Sequence, residues 1–185
     1  PLPRDRNMGI FREVFLEVNE GVKIRSPFVH SKVNKETLNE AELFIQAELI
    51  NSSDKTIDGI LRVDYEIGVV EKPVSVKAGE TLTCNFNPED FEQLSVKDVN
   101  FWWPNGMGAA SLYNLKTEFI AKNTVIDKVE KKYGIREVTS YLNEDKNRAF
   151  EVNGKFVLIK GGGWVDDLLL QDTKESVEAQ LKYVH

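Results

Sequence analysis

The 185-residue sequence is poor in the residues that build metal and redox sites. It contains one cysteine, Cys84, and two histidines, His30 and His185. A single cysteine excludes an internal disulfide and a cysteine-rich zinc site, and neither histidine has other ligands at metal-binding spacing. Cys84 lies among alternating apolar residues, which favours a small buried side chain. We therefore expect no metal and no other cofactor.

Long apolar runs and a basic charge excess are also missing. No apolar run approaches the ~18 residues that would span a bilayer. The formal net charge of −6 opposes the basic face that phosphate binding needs. We expect neither a membrane span nor a nucleic-acid partner, and the sequence has no nucleophile elbow, phosphate loop or dinucleotide fingerprint.

The chain begins with Pro1 instead of a methionine, and its start lacks the pattern of a signal peptide,. We therefore expect the chain to be an excised piece of a longer protein. The single cysteine leaves the cellular compartment open, and export to the periplasm or secretion would be compatible with it.

Apolar alternation with a period of two dominates the first two thirds of the chain. Residues 41–49 and 59–69 each place apolar side chains on one face of an extended strand, and the polar cluster at 51–55 predicts a hairpin between them,. Further strands are expected at about 22–33, 73–77, 80–86, 97–102, 112–121 and 124–132. Short strands at regular spacing predict a mainly β fold, an immunoglobulin-like sandwich of about seven strands.

The pattern changes after Tyr133. Residues 150–160 predict two strands around an Asn-Gly turn, and Gly161, Gly162, Gly163 and Trp164 follow. A helix is expected next, with Asp172 as its cap, Glu175 three residues on, and apolar residues at helical spacing. A strand, a loop and a helix are typical of one opening unit of a parallel β/α architecture, such as a TIM barrel.

Two acidic pairs could be imagined in acid–base chemistry. Adjacent residues usually face opposite ways, so Glu89 and Asp90 are expected at the surface. Asp166 and Asp167 lie in the loop of the predicted barrel unit, where active sites are built, and both a structural role and substrate contact stay open for them. The aromatic string WWPNG at 102–106 could close the sandwich, or could pack on a further domain or border a sugar pocket.

Five strings follow one another along the chain. They are RNMGIFREV at 6–14, WWPNG at 102–106 with LYNL at 112–115, YGIREV at 133–138, FEVNGK at 150–155 and KGGGW at 160–164. In this order they resemble glycoside hydrolase family two, in its β-mannosidase and exo-β-D-glucosaminidase branch. The first resembles the end of the family's sugar-binding jelly roll, the second a signature late in its immunoglobulin-like domain, and the others the entry to its barrel.

The resemblance implies three regions. Residues 1–20 would be the tail of a preceding jelly-roll sugar-binding domain, 21–134 the immunoglobulin-like sandwich, and 135–185 the truncated entry segment of a (β/α)8 catalytic barrel. The sandwich would pack on the jelly roll and the barrel of its own chain.

The resemblance also implies a parent enzyme that removes terminal β-linked sugars from oligosaccharides with retention of configuration. Such enzymes use two carboxyl groups about 5–5.5 Å apart, and both would follow His185, so no catalytic residue is assigned. Trp164 and Asp166 would lie at the edge of the substrate pocket, whereas Trp103 and Asn105 would hold the sandwich against the barrel. The acidic loop after the glycines favours the glucosaminidases, since an amino sugar carries a positive charge.

Two other classes of function compete with this interpretation. A stand-alone immunoglobulin-like carbohydrate-binding or adhesion module would bind glycans by itself, but the barrel-entry strings would have no role in it. A self-sufficient hydrolase would need its acid pair within these residues, and no good pair is present. The scaffold domain of a larger glycosidase is therefore the expected function.

Overall fold

The computed structural model describes residues 10, 13–16, 18, 21–165 and 173–184. The chain forms two compact units, one of Val18–Leu158 and one that combines Pro1–Glu17 with Ile159–His185. The first unit contains every described strand. The strands are β1 (Val22–Val33), β2 (Glu40–Asn51), β3 (Ile57–Asp64), β4 (Val69–Val76), β5 (Thr81–Phe86), β6 (Ser95–Lys97), β7 (Tyr113–Ala121), β8 (Thr124–Tyr133), β9 (Val138–Leu142), β10 (Arg148–Val152) and β11 (Lys155–Val157).

Two four-stranded antiparallel sheets form the body of this unit. In one sheet the order is β1-β2-β5, with β6 also paired to β2, and in the other it is β4-β3-β7-β8. β2 and β7 each bury alternate residues, as expected of strands with one face on a core. The mainly β, immunoglobulin-like architecture predicted from the alternation is confirmed.

The core between the sheets contains buried tyrosines with satisfied hydroxyl groups. Tyr65, Phe86 and Phe119 are the largest fully buried side chains. The Tyr65 hydroxyl donates to the Gln93 carbonyl at 2.7 Å, and the Tyr133 hydroxyl donates to the Tyr65 carbonyl at 2.8 Å. Burial raises the pKa of both phenols, so each stays a neutral donor. Cys84 is buried and free, as its surroundings predicted.

The predicted hairpin between 41–49 and 59–69 is wrong. β2 pairs with β1, β5 and β6, whereas β3 pairs with β4 and β7, so the chain crosses between sheets after Asn51. The polar cluster does turn the chain. The buried Asn51 amide donates to the carbonyls of Lys55 and Val76 at 2.7 and 2.9 Å, which fixes a crossover instead of a hairpin.

Two predicted strands have different bounds in the structure. The expected strand at 59–69 ends at Asp64, since the Tyr65 N–H donates to the Gly68 carbonyl at 3.0 Å and turns the chain into β4. The expected strand at 97–102 is replaced by β6, which ends at Lys97. Trp102 then forms only an isolated bridge with Ala110.

A third, three-stranded sheet follows in the order β11-β10-β9. The hairpin around Asn153 and Gly154 is confirmed, with Phe150 opposite Val157 and Val152 opposite Lys155. β9 was not predicted, because its sequence has no regular alternation. This sheet belongs to the same compact unit as the sandwich. The assignment of 135–185 to a barrel stays a prediction.

The second unit contains one described helix, α1 (Lys174–Val184), as the sequence predicted. Its cap is Thr173: the Ser176 N–H donates to Thr173 Oγ1 and the Thr173 N–H donates to Ser176 Oγ, both at 3.1 Å. This reciprocal pair has the form of a capping box. Asp172, the expected cap, lies outside the described residues. Of the helical residues that the structure describes, none forms a segment long and apolar enough to cross a membrane.

Candidate functional site

Three of the strings singled out in the sequence meet around the side chain of Asn153. Asn153 is 1% exposed. Its Oδ1 accepts the Glu137 N–H at 2.9 Å, and its Nδ2 donates to the Trp102 carbonyl at 3.1 Å. The Asn153 N–H also donates to the Glu137 carbonyl at 2.8 Å. One amide therefore joins the WWPNG, YGIREV and FEVNGK strings, and we call these contacts the junction.

The hairpin turn places Asn153 in the junction. Its φ is +51° and that of Gly154 is +74°, which is the pattern of a two-residue turn with both central residues left-handed. Asparagine tolerates that conformation better than most residues. The turn thus presents the amide toward Glu137 and Trp102 without the penalty that a branched residue would meet.

Arg136 and Ser31 fasten the junction to the edge of the sandwich. Ser31 is buried in β1, and its hydroxyl donates to the Arg136 carbonyl at 2.7 Å and accepts the Arg136 N–H at 2.9 Å. The Arg136 guanidinium lies 4.4 Å from the centre of the Trp102 ring, within cation–π range. The Trp102 N–H donates to the Ile135 carbonyl at 3.0 Å.

Trp103 and Asn105, the predicted interdomain contacts, lie next to the junction in different environments. Trp103 is half-buried against the core, and the Lys155 ammonium lies 5.1 Å from its ring centre. Asn105 is exposed in a turn that the Met107 N–H closes on the Pro104 carbonyl at 3.0 Å. The structure thus brings Trp103 to the third sheet and leaves Asn105 facing outward.

The predicted edge of the substrate pocket falls in the second unit. Trp164 is 47% exposed, so its ring has a free surface in the described part of the chain. Asp166 and its neighbour Asp167 lie outside the described residues. Their roles stay predictions.

Glu137 carries the electrostatic component of the junction. Its Oε1 lies 2.6 Å from the Lys35 ammonium, and its Oε2 accepts the Val33 N–H at 2.9 Å. Burial alone would raise the pKa of this carboxyl. The hydrogen bonds from Lys35 and Val33, together with the charges of Lys35 and His30, outweigh burial and hold the pKa below its usual value,.

Replacing Glu137 with glutamine should destabilise the chain by about 1–2 kcal/mol at neutral pH, because a charge-assisted acceptor is lost. A carboxyl whose folded pKa is lowered stabilises the fold above its unfolded pKa of about 4.3, and that contribution is lost as pH falls through the folded pKa. Urea unfolding should therefore show a gap between wild type and E137Q at pH 7 that closes in acid.

The exposed pair of Lys128 and Glu130, 3.1 Å apart, supplies the control. E130Q should change the free energy of unfolding by less than about 0.5 kcal/mol at any pH. A gap for E137Q that stays constant down to acid pH would show that the ionised carboxyl contributes nothing.

Sequence reasoning missed the roles of Asn153, Glu137 and Ser31. The Asn-Gly pair predicted a turn, but the partners of its side chain lie 16 and 51 residues away in the chain. No local sequence pattern predicts hydrogen bonds between residues that lie so far apart in the chain. Among the described residues, no three histidine, cysteine or acidic side chains form a group that could hold a metal ion.

The paired sheets and the junction define the class of protein: a β-sandwich domain of the immunoglobulin-like kind, with a small sheet fixed to its edge. The sequence model of the glycosyl hydrolases family 2 matches residues 22–136. The chain therefore belongs to glycosyl hydrolases family 2.

Two curated relatives are similar along almost the whole chain. The exo-beta-D-glucosaminidase of Streptomyces avermitilis is 36% identical over 98% of this chain and 20% of that protein. The exo-beta-D-glucosaminidase of Amycolatopsis orientalis is 33% identical over 98% of this chain and 17% of that protein. This chain thus spans about a fifth of the length of the relatives that it matches.

A solved structure gives the same picture. The exo-chitosanase CsxA of Amycolatopsis orientalis superposes with a TM-score of 0.83 at 31% identity, over 96% of this chain and 20% of that chain. A beta-galacturonidase from Eisenbergiella tayi superposes with a TM-score of 0.72 at 13% identity, and this second likeness shows the fold alone.

Proposed function

We propose that this chain is a non-catalytic scaffold domain of a retaining exo-β-glycosidase that releases a terminal β-linked amino sugar. The observation that carries the proposal is the extent of the alignments. The relatives named as exo-beta-D-glucosaminidases align with nearly all of this chain, but the aligned region is only about a fifth of their own length. A domain of that share leaves room for a complete barrel in the rest of the protein.

Glu89 and Asp90, the acidic pair of the sequence that lies within the described residues, support a non-catalytic role. Glu89 and Asp90 are both exposed in a turn, as predicted. A retaining mechanism needs a nucleophile and an acid–base group about 5–5.5 Å apart across a bound sugar, and the acid is usually tuned by an apolar pocket. Glu89 and Asp90 have no such surroundings. We propose that the catalytic pair lies downstream of His185.

The junction supports a role in holding neighbouring parts of the enzyme. Hydrogen bonds from Asn153 and Ser31 fix residues 134–137 and the third sheet to the sandwich, so these segments form one rigid platform. Trp103 and Asn105 lie beside this platform and are our candidates for contact with the barrel. Trp164 and Asp166 are our candidates for the edge of the sugar pocket.

The test uses the same gene product extended through a complete barrel. Hydrolysis of chromogenic β-D-glucosaminide, β-D-mannoside and β-D-galactoside should show preference for the glucosaminide, and NMR of the first-formed sugar should show the β anomer. A preference for the mannoside would reject the amino-sugar assignment, and an α product would reject the retaining mechanism.

The same assay can test the role of Trp164. In the extended protein, Trp164→Ala should raise KM for the glucosaminide about tenfold if the indole packs on the sugar, since an aromatic–ligand contact of this kind supplies about 1.4 kcal/mol. Trp164→Phe should recover most of that loss. Equal KM values in all three proteins would remove Trp164 from the pocket.

A further inference from the structure

Two Asn-Gly pairs in this chain have opposite environments. Asn105 is exposed and precedes Gly106, whereas Asn153 is 1% exposed and precedes Gly154. The dipeptide is the same in both places, so any difference in chemistry between them comes from the fold. This contrast is a property of the 185-residue chain, and a barrel that covers Asn105 in the longer protein would reduce it.

The turn at 104–107 leaves the reactive groups of the first pair free. Within residues 21–165, neither the Asn105 side chain nor the Gly106 N–H forms a hydrogen bond. Gly106 has φ +79°, and a Cβ built on it would meet no atom within 4 Å. Glycine has no side chain to shield its own nitrogen, and within the described residues no hydrogen bond holds the Gly106 nitrogen or the Asn105 carboxamide in place.

In the second pair, Asn153 and Gly154, the surrounding residues hinder attack of the glycine nitrogen on the carboxamide. Both polar atoms of the Asn153 carboxamide are held, Oδ1 by the Glu137 N–H and Nδ2 by the Trp102 carbonyl. The space beside Gly154 is occupied by the Lys35 side chain, 3.1 Å from where a Cβ would lie. Asn153 can react only when the junction opens locally.

We propose that Asn105 is a site of spontaneous deamidation in this folded 185-residue chain and that Asn153 is protected. The Gly106 amide loses its proton to base, and its nitrogen attacks Asn105 Cγ. A nitrogen–carbon bond forms, the bond from Cγ to Nδ2 breaks, and ammonia leaves with a proton from solvent. Water then opens the five-membered imide at either carbonyl, which gives aspartate or isoaspartate.

The product changes the turn that follows Trp103. Either product replaces a neutral amide with a carboxylate, which adds one negative charge to a chain that already carries −6. Isoaspartate also adds one carbon to the main chain, inside a turn closed by a single hydrogen bond between Met107 and Pro104. Deamidation therefore modifies both the charge and the shape of an exposed face.

The experiment follows both asparagines in one sample. The chain is incubated at neutral and at alkaline pH and digested with trypsin, which separates Asn105 (peptide 98–116) from Asn153 (peptide 149–155). Mass spectrometry with fragmentation then locates the amide-to-acid change. The rate at Asn105 should exceed that at Asn153 by at least about tenfold, because Asn153 must first become exposed, and the rate at Asn105 should rise with pH.

Unfolding and mutation supply the controls. In concentrated urea the Asn153 rate should rise to approach that of Asn105, since both residues precede glycine. Asn105→Ser should remove the mass change from its peptide. Equal rates at the two sites in the folded chain would overturn the proposal, as would a mass change in the 98–116 peptide of N105S or a rate at Asn153 that urea does not raise.

Discussion

Asn153→Ala is expected to lower the free energy of unfolding by about 2–4 kcal/mol. The substitution leaves the Glu137 N–H and the Trp102 carbonyl without their partner, and each unsatisfied group costs about 1–3 kcal/mol when shielded from water. It also places alanine at φ +51°, a conformation that costs an L-residue other than glycine about 1–2 kcal/mol. Water can partly reach both groups that lose their partner, so the expected loss of unfolding free energy is smaller than the sum of these costs.

Urea unfolding monitored by tryptophan fluorescence would measure this loss. Asn153→Gly makes neither hydrogen bond but tolerates φ +51°, so it should cost less than alanine. The matched control is Asn105→Ala at the exposed asparagine of the other Asn-Gly pair, which should stay within about 0.5 kcal/mol of wild type. Equal losses for N153A and N105A would contradict the central place of Asn153 in the junction.

Gly134→Ala should cost about 2–3 kcal/mol, because overpacking a tight contact strains the surrounding backbone. A Cβ on Gly134 would lie 2.7 Å from the Cβ of Trp102 and 2.9 Å from its Cγ. Those atoms are next to the main chain and cannot move aside as the end of a flexible side chain could. The indole and the strand end at Tyr133 must therefore shift apart, which weakens the contact of Arg136 with the ring.

The free energy of unfolding again gives the readout, and Gly161→Ala is the control. A Cβ on Gly161 meets nothing within 4 Å, and its backbone is not left-handed, so the change should be within about 0.5 kcal/mol. A G134A chain as stable as wild type would show that Trp102 is not packed against Gly134.

Much of the sandwich could be predicted from alternation alone. The strands β1, β2, β5, β7 and β8 lie within a few residues of their predicted bounds. The alternation of buried residues is most regular in β2 and β7,. The pairing of the strands was harder to predict from the sequence. The polar turn after Asn51 predicted a hairpin, yet the buried Asn51 amide directs the chain to the opposite sheet through a bond to Val76, which is a long-range contact.

The sequence motifs of the candidate site could be recognised, but the contacts between them could not be predicted. WWPNG, YGIREV and FEVNGK were each visible, but their convergence depends on hydrogen bonds between Ser31 and Arg136 across 105 residues and between Trp102 and Asn153 across 51. The lowered pKa of Glu137 likewise depends on Lys35, which lies in another part of the chain. The charges and the spacing of residues along the sequence do not indicate which distant residues will come into contact.

Hydrolysis of a chromogenic β-D-glucosaminide tests the central claim most directly, with this 185-residue chain compared to the same gene product extended through a full barrel. A scaffold domain without its catalytic carboxyl pair predicts turnover by the extended protein only, with the short chain indistinguishable from buffer. Turnover by the short chain itself would contradict the account, and Asp166 and Asp167 would then be the first residues to replace.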